Sequence, residues 1–147
     1  MKKVQLITDG ACLGNPGRGG WAAILIHGEN RKELYGHEAH TTNNRMELMA
    51  AIEGLRALRE SCEVEVVTDS EYVKNGITLW IPNWKKRNWM TSQKKPVVNR
   101  DLWEKLDYET ARHTVRWSWT KGHALHADNN RADELASLAA REQRSSV

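Results

Sequence analysis

Apolar residues come in short alternating or β-branched runs early in the chain and recur at three- and four-residue intervals later, so the pattern predicts strands first and interleaved helices afterwards. Val4-Gln5-Leu6-Ile7-Thr8 and Val64-Glu65-Val66-Val67-Thr68 are too short for helices and read as strands, ending at Asp9-Gly10 and Asp69-Ser70. Trp21 to Ile26 follows a glycine-rich stretch, Gly14 to Gly20, and predicts an antiparallel partner for the first strand. Leu48, Ile52, Leu55 and Leu58 form one helical stripe, with Glu53, Arg56 and Glu60 on the solvent side. The predicted order is strand Val4–Thr8, strand Trp21–Gly28, strand Lys32–Glu38, helix Asn44–Glu60, strand Val64–Thr68, helix Ser70–Leu79, a basic connection, helix Arg100–Arg112, strand Thr114–Thr120 and helix Asn129–Glu142. Hairpins followed by alternating strands and helices imply an α/β fold with a mixed five-stranded sheet flanked by helices.

On that framework, four acids are expected to converge. Asp9 and Asp69 stand at the carboxyl ends of two strands, where open α/β sheets place their sites. At about 100° per residue, Glu47 points nearly opposite to the exposed Arg56 of its helix. Asp133 shares a face with Ala136 and Ala140, small residues that permit close approach to the sheet, while Glu134 and Arg141 lie elsewhere. Each acid has an ordinary explanation alone: Asp9 as a turn former, Asp69 or Ser70 as a helix cap, Glu47 as a first-turn acid facing the helix dipole. Together they form a carboxylate cluster with no nearby base in sequence, which folds readily only around a divalent cation and so points to Mg²⁺ chemistry.

Charge is distributed unevenly. The 147 residues carry 22 Lys+Arg and 19 Asp+Glu, a formal net charge of +3. No acid occurs between Glu71 and Asp101, yet Lys74, Lys85, Lys86, Arg87, Lys94, Lys95 and Arg100 do, which leaves fifteen bases against 19 acids elsewhere, a net charge of −4. Trp80, Trp84 and Trp89 are interleaved with these cations, a combination suited to a polyanion with flat bases or sugars. Part of that tryptophan content is expected to be core. Cys12 and Cys62 lack metal or redox spacing and suggest free thiols in a reducing compartment. No signal peptide or membrane span is expected, and the chain is read as a single cytoplasmic domain over 1–147.

Ile7-Thr8-Asp9-Gly10 through Gly17, Thr41-Thr42-Asn43-Asn44-Arg45-Met46-Glu47-Leu48, Thr68-Asp69-Ser70, Trp80 through Arg87, Lys121-Gly122-His123-Ala124 and Asn130 through Ala136 together closely resemble bacterial ribonuclease H, type 1. The resemblance runs in order along almost the whole chain. It implies a ribonuclease H-like fold, a catalytic domain that begins without an N-terminal hybrid-binding domain, and a monomeric endonuclease. That enzyme would cut the RNA strand of RNA–DNA hybrids, leaving 3′-hydroxyl and 5′-phosphate ends. Carried over by residue, Asp9, Glu47, Asp69 and Asp133 match the ligands of two Mg²⁺ ions, with Mn²⁺ able to substitute and Asp9 the bridge between them. His123 matches a loop histidine that assists proton movement or product release.

The resemblance also assigns substrate contacts. Cys12, Asn15, Asn43 and Asn44 match positions at the minor groove, where ribose 2′-hydroxyls distinguish a hybrid from duplex DNA. Thr42 and Asn99 match a pocket gripping a DNA-strand phosphate, and Trp80, Trp84, Lys85, Lys86 and Arg87 match a protruding basic handle. From local sequence alone, Asn43-Asn44 would be no more than a helix cap. His40, Glu71 and Leu125 stand where related enzymes often carry Arg, Gln and Gly.

Overall fold

A computed structural model describes residues 1–119 and 127–146. Strands β1 (Lys2–Leu13), β2 (Gly17–His27), β3 (Asn30–Thr41), β4 (Cys62–Thr68) and β5 (Thr114–Trp119) form a five-stranded sheet in the order β3-β2-β1-β4-β5. The β1–β2 and β2–β3 pairs are antiparallel, whereas β1–β4 and β4–β5 are parallel. The mixed sheet expected from the pattern is therefore present.

Helices cover both faces, which explains why the central strands read as nearly continuous apolar runs. Leu6, Val64 and Val66 pack with Leu48, Ile52 and Leu55 of α1 (Asn43–Arg56) and with Trp103 and Leu106 of α4 (Arg100–Ala111). On the opposite face, Ile7, Ala22, Ile24 and Val67 meet Ala132, Leu135 and Ala136 of α5 (Ala127–Glu142). Gly20 lets α5 approach, since a Cβ there would lie 2.3 Å from the Ala136 carbonyl oxygen and 2.5 Å from Ala140 N. Small residues on both partners thus bring Asp133's helix against the sheet.

Several boundaries differ from the sequence expectation, each for a tertiary reason. β1 does not stop at Asp9; its pairing with β4 ends at Ile7–Val67, but it continues beside β2 to Leu13. Thr42 caps α1, its Oγ1 accepting the Arg45 N–H at 3.3 Å, so Asn43 and Asn44 are the first helical residues and not the cap. The same helix ends at Arg56 and not Glu60, because the Leu58 carbonyl accepts from Arg112 Nη2 at 2.9 Å and Glu60 pairs with Lys2 at 2.7 Å.

The helix expected over Ser70–Leu79 is α2 (Glu71–Asn75), a π-helical turn at Gly76–Trp80 and α3 (Ile81–Lys86) in succession. Ser70 caps α2 by accepting the Val73 N–H at 3.2 Å. Pro82 lacks the N–H that an ordinary helix would use and its ring opposes the carbonyl four residues earlier, so widening the preceding turn relieves both demands. The "basic connection" accordingly begins as helix. Thr120, expected at the end of the last strand, lies outside the described residues. Among the described residues, no helix is long and apolar enough to cross a membrane.

Candidate active site

The parting of β1 from β4 opens the site. Beyond Ile7–Val67, β1 runs on with β2 and places Asp9 opposite Ala22, while β4 ends and the chain turns at Asp69. Ser70 N–H donates to Thr68 Oγ1 at 3.1 Å, and the Trp119 indole donates to the Asp69 backbone carbonyl at 3.0 Å, so the turn is held from two sides. The first turns of α1 lie across Gly10 and deliver Glu47. One carboxylate oxygen each from Asp9, Glu47 and Asp69 falls within a mutual 4.8 Å, and Asp133 lines the same cleft of about 380 Å³. The four acids singled out in the sequence share one cleft.

Burial makes this cluster unusual. Asp9 and Glu47 are only 5% and 4% exposed, and Asp9 Oδ2 and Glu47 Oε2 are fully buried with no hydrogen-bond partner. Glu47 Oε1 does accept the Gly10 N–H, at 2.8 Å. No Lys, Arg or His stands among the described residues lining the cleft. Burial, followed by the charges of Asp69 and Asp133, pushes Asp9 up to about 7, against the Gly10 N–H that donates to Asp9 Oδ1 at 2.9 Å and pulls it down. Burial and the neighbouring Asp9 charge raise Glu47 well above the ordinary carboxylate range. Without a cation, the pair retains a proton at pH values where isolated carboxylates have lost theirs. Among the described residues, an all-oxygen donor set with orphaned buried oxygens fits a hard divalent cation such as Mg²⁺ or Mn²⁺, without the nitrogen or sulfur that Zn²⁺ favours.

The expected substrate residues fall into three groups. Asn43 and Asn44 line the acidic cleft, and the Asn43 N–H donates to Asn15 Oδ1 at 3.2 Å, tying the β1–β2 loop to α1. Cys12 Sγ is half-buried at the base of that loop and donates to the Thr41 carbonyl at 3.4 Å. Thr42 and Asn99 lie on different elements but are joined through Arg45, whose Nη1 reaches Asn99 Oδ1 at 3.1 Å. Trp80 and Trp84 do not line the cleft but are half-buried in an aromatic cluster with Trp89, Trp103 and the cleft residue Tyr72. Lys85 already pairs with Asp107 at 2.9 Å, whereas Lys86 and Arg87 are exposed. His123 lies outside the described residues, as does Leu125.

Sequence reading passed over Gly10, Arg45, Tyr72, Asp101 and Trp119. Tyr72 lines the cleft and its hydroxyl accepts N–H groups from Asn99 and Trp103, both at 3.0 Å. Nothing local distinguishes these residues, because each acts on a partner distant in sequence. Gly10 alone carried a usable signal, a glycine inside what proves to be a continuous strand.

The chain matches the RNase H family over residues 1–141. It is 72% identical over 143 residues to the ribonuclease H of Solibacter usitatus (strain Ellin6076), covering 97% of this chain and 98% of that one. It is 60% identical to the ribonuclease H of Marinobacter nauticus (strain ATCC 700491 / DSM 11845 / VT8), with 95% of each covered. In three dimensions it resembles crystalline LC9-RNase H1, described as a type 1 RNase H with the type 2 active-site motif. That likeness has a TM-score of 0.89 at 33% identity, over 99% of this chain and 75% of the other. The chain belongs to the RNase H family. It is an enzyme, a nuclease of the hydrolase class.

Proposed function

We propose that this enzyme hydrolyses the RNA strand of RNA–DNA hybrids internally, leaving 3′-hydroxyl and 5′-phosphate ends, with two Mg²⁺ ions for which Mn²⁺ can substitute. The observation that carries this reading is the meeting of Asp9, Glu47 and Asp69 oxygens within 4.8 Å, in a cleft shared with Asp133, Asn43 and Asn44. Two such ions would activate the attacking water on one side of the phosphodiester and stabilise the leaving 3′-oxygen on the other.

The residues supply the rest. Asp9, Glu47, Asp69 and Asp133 would hold the ions. Asn15, Asn43, Asn44 and Cys12 present polar groups at the rim where ribose hydroxyls would distinguish RNA from DNA. Thr42 and Asn99 grip a phosphate of the DNA strand, and Trp80, Trp84, Lys85, Lys86 and Arg87 steer the hybrid onto the acidic body. His123 is assigned proton movement or product release by family resemblance. The enzyme acts as a monomer in the cytoplasm.

Incubation with end-labelled hybrid, duplex DNA and duplex RNA, with and without Mg²⁺, tests the reading. Metal-dependent cleavage confined to the RNA of the hybrid is expected, and a hybrid whose RNA contains a short deoxynucleotide run should remain intact within it. Cleavage inside that run, or of duplex DNA, would overturn the proposal in favour of a DNA nuclease of the same architecture.

A further inference from the structure

Asp69 is the one acid of the four that no strand or helix contains. Asp9 lies within β1, Glu47 within α1 and Asp133 within α5, whereas β4 ends at Thr68 and α2 begins at Glu71, which leaves Asp69 and Ser70 as a two-residue link. Ladder and helix bonds orient the other three. The direction of Asp69 must come from contacts made by the link itself.

Those contacts converge on one peptide group. The Ser70 N–H donates to Thr68 Oγ1 at 3.1 Å, and the Asp69 carbonyl at the other edge of the same peptide accepts from the Trp119 indole at 3.0 Å. A peptide is planar, so bonds at its two opposite edges stop it turning about the chain, and the dihedral that carries the Asp69 side chain is fixed with it. The first bond is local to the link. The second comes from a residue fifty positions away.

Trp119 is placed for this contact and is poorly explained by packing. It is the last residue of β5 and pairs in register with Thr68, so its side chain reaches one residue beyond the β4–β5 ladder. Trp117, on the same face of β5, packs against the larger core cluster, while Trp119 is half-buried and, among the described residues, belongs to neither cluster. Its ring is covered instead by Lys74 of α2, whose Nζ stands 4.8 Å from the ring centroid in a cation–π contact. One tryptophan thus touches the end of β4 through its N–H and the start of α2 through its face.

We propose that Trp119 is a positioning residue for the metal centre, its indole N–H locking the Asp69–Ser70 peptide plane and so aiming the Asp69 carboxylate at the point it shares with Asp9 and Glu47. This inference rests on the metal-dependent reading above. The indole acts through the Asp69 main chain alone, and Lys74 holds the ring.

The test uses the full chain with Mg²⁺ alone, before any substrate is added. Trp119→Phe keeps an aromatic ring beside Lys74 and removes the donor. Its Mg²⁺ Kd by calorimetry should rise about fivefold, the effect of losing one hydrogen bond that selects the binding geometry. With hybrid added, the half-maximal Mg²⁺ concentration should rise similarly, while KM for hybrid stays at the parent value and saturating Mg²⁺ restores kcat to within about twofold. Lys74→Met should also weaken Mg²⁺ binding and Lys74→Arg should restore it, whereas simple electrostatics predicts tighter binding once a positive charge is removed. In the parent, the Trp119 indole N–H resonance should shift as Mg²⁺ saturates, a readout that does not depend on how well the variant folds. A folded Trp119→Phe protein with the parent's Mg²⁺ affinity, or a parent indole resonance that stays fixed through the titration, would overturn the positioning role. Tighter Mg²⁺ binding by Lys74→Met would overturn the part given to Lys74. A parent that binds Mg²⁺ yet leaves hybrid intact would overturn the proposed function and leave this inference standing.

Discussion

The Gly10 N–H donates to Glu47 Oε1 at 2.8 Å, so a backbone amide of β1 holds the side chain that α1 brings to Asp9. The contact depends on the absence of a side chain at Gly10, where a Cβ would lie 2.6 Å from Glu47 N and 2.8 Å from the Met46 carbonyl carbon. Strand and helix backbones are in near contact at the point where two acids must meet.

Gly10→Ala should therefore push α1 off β1, with a stability cost of roughly 1–3 kcal/mol from overpacking. The diagnostic effect is on the cluster: Mg²⁺ affinity measured by calorimetry should fall at least tenfold. A variant that is destabilised yet binds Mg²⁺ as tightly as the parent would show that the Gly10 contact does not set the Glu47 position.

Asp9→Asn should abolish hydrolysis while raising the melting temperature of the metal-free protein above pH 7. The buried carboxylate costs stability when ionised, and the neutral amide removes repulsion from Asp69 and Asp133. A gain of about 1–3 kcal/mol is expected, scaled down from the full linkage because Glu47 shares the proton. Substantial residual cleavage by pure, folded protein would remove Asp9 from the reaction.

The same pair sets a pH dependence whose sign is fixed by the direction of the shift. Asp9 binds its proton more tightly in the folded state, up to about 7 against an ordinary 3.8, so the unfolded state holds fewer protons across that interval. This group's contribution to metal-free stability must fall as pH rises through the window. Urea titrations in chelator at pH 5 and pH 8 should show the loss, smaller in Asp9→Asn. Saturating Mg²⁺ should shrink it in the parent, since binding to the folded state at about a hundred times Kd adds about 2.7 kcal/mol.

In the basic segment, Lys85 is engaged with Asp107 while Lys86 and Arg87 are exposed. Replacing all three by Ala should raise KM far more than it lowers kcat, as loss of uniform binding does. The slope of log affinity against log salt should flatten by about two, because Lys85 has an intramolecular partner to give up. An unchanged slope would reduce the segment to a solvated face.

His113 carries a purely structural prediction. Its Nδ1 accepts the Cys62 N–H at 3.1 Å, which leaves Nε2 to donate to the Leu55 carbonyl at 3.2 Å, all buried between α1 and the start of β4. His113→Ala orphans both groups at about 1–3 kcal/mol each. The melting temperature should drop sharply with KM unchanged in the folded fraction; a neutral substitution would mean that water replaces the ring.

The sequence by itself determined the elements and the face that each buries, because that information is local. The short apolar runs of β1 and β4 and the Leu48–Ile52–Leu55 stripe of α1 are local features of the strand and helix repeats, whatever packs on them. The same periodicity singled out Glu47 and Asp133 as acids turned away from their solvent faces, and the two Thr-Asp pairs marked the strands that would supply the others. Only the tertiary structure decided where those elements end and which side chains meet. β1 outruns its pairing with β4 because β2 remains beside it, α1 stops short because Arg112 takes the Leu58 carbonyl, and Arg45 finds Asn99 and Asp101 more than fifty positions away. Trp80 and Trp84, read as substrate contacts, are partly claimed by packing against Trp103 for the same reason. Hydrogen-bond partners and buried charge depend on distances between segments remote in sequence, and no local period encodes them.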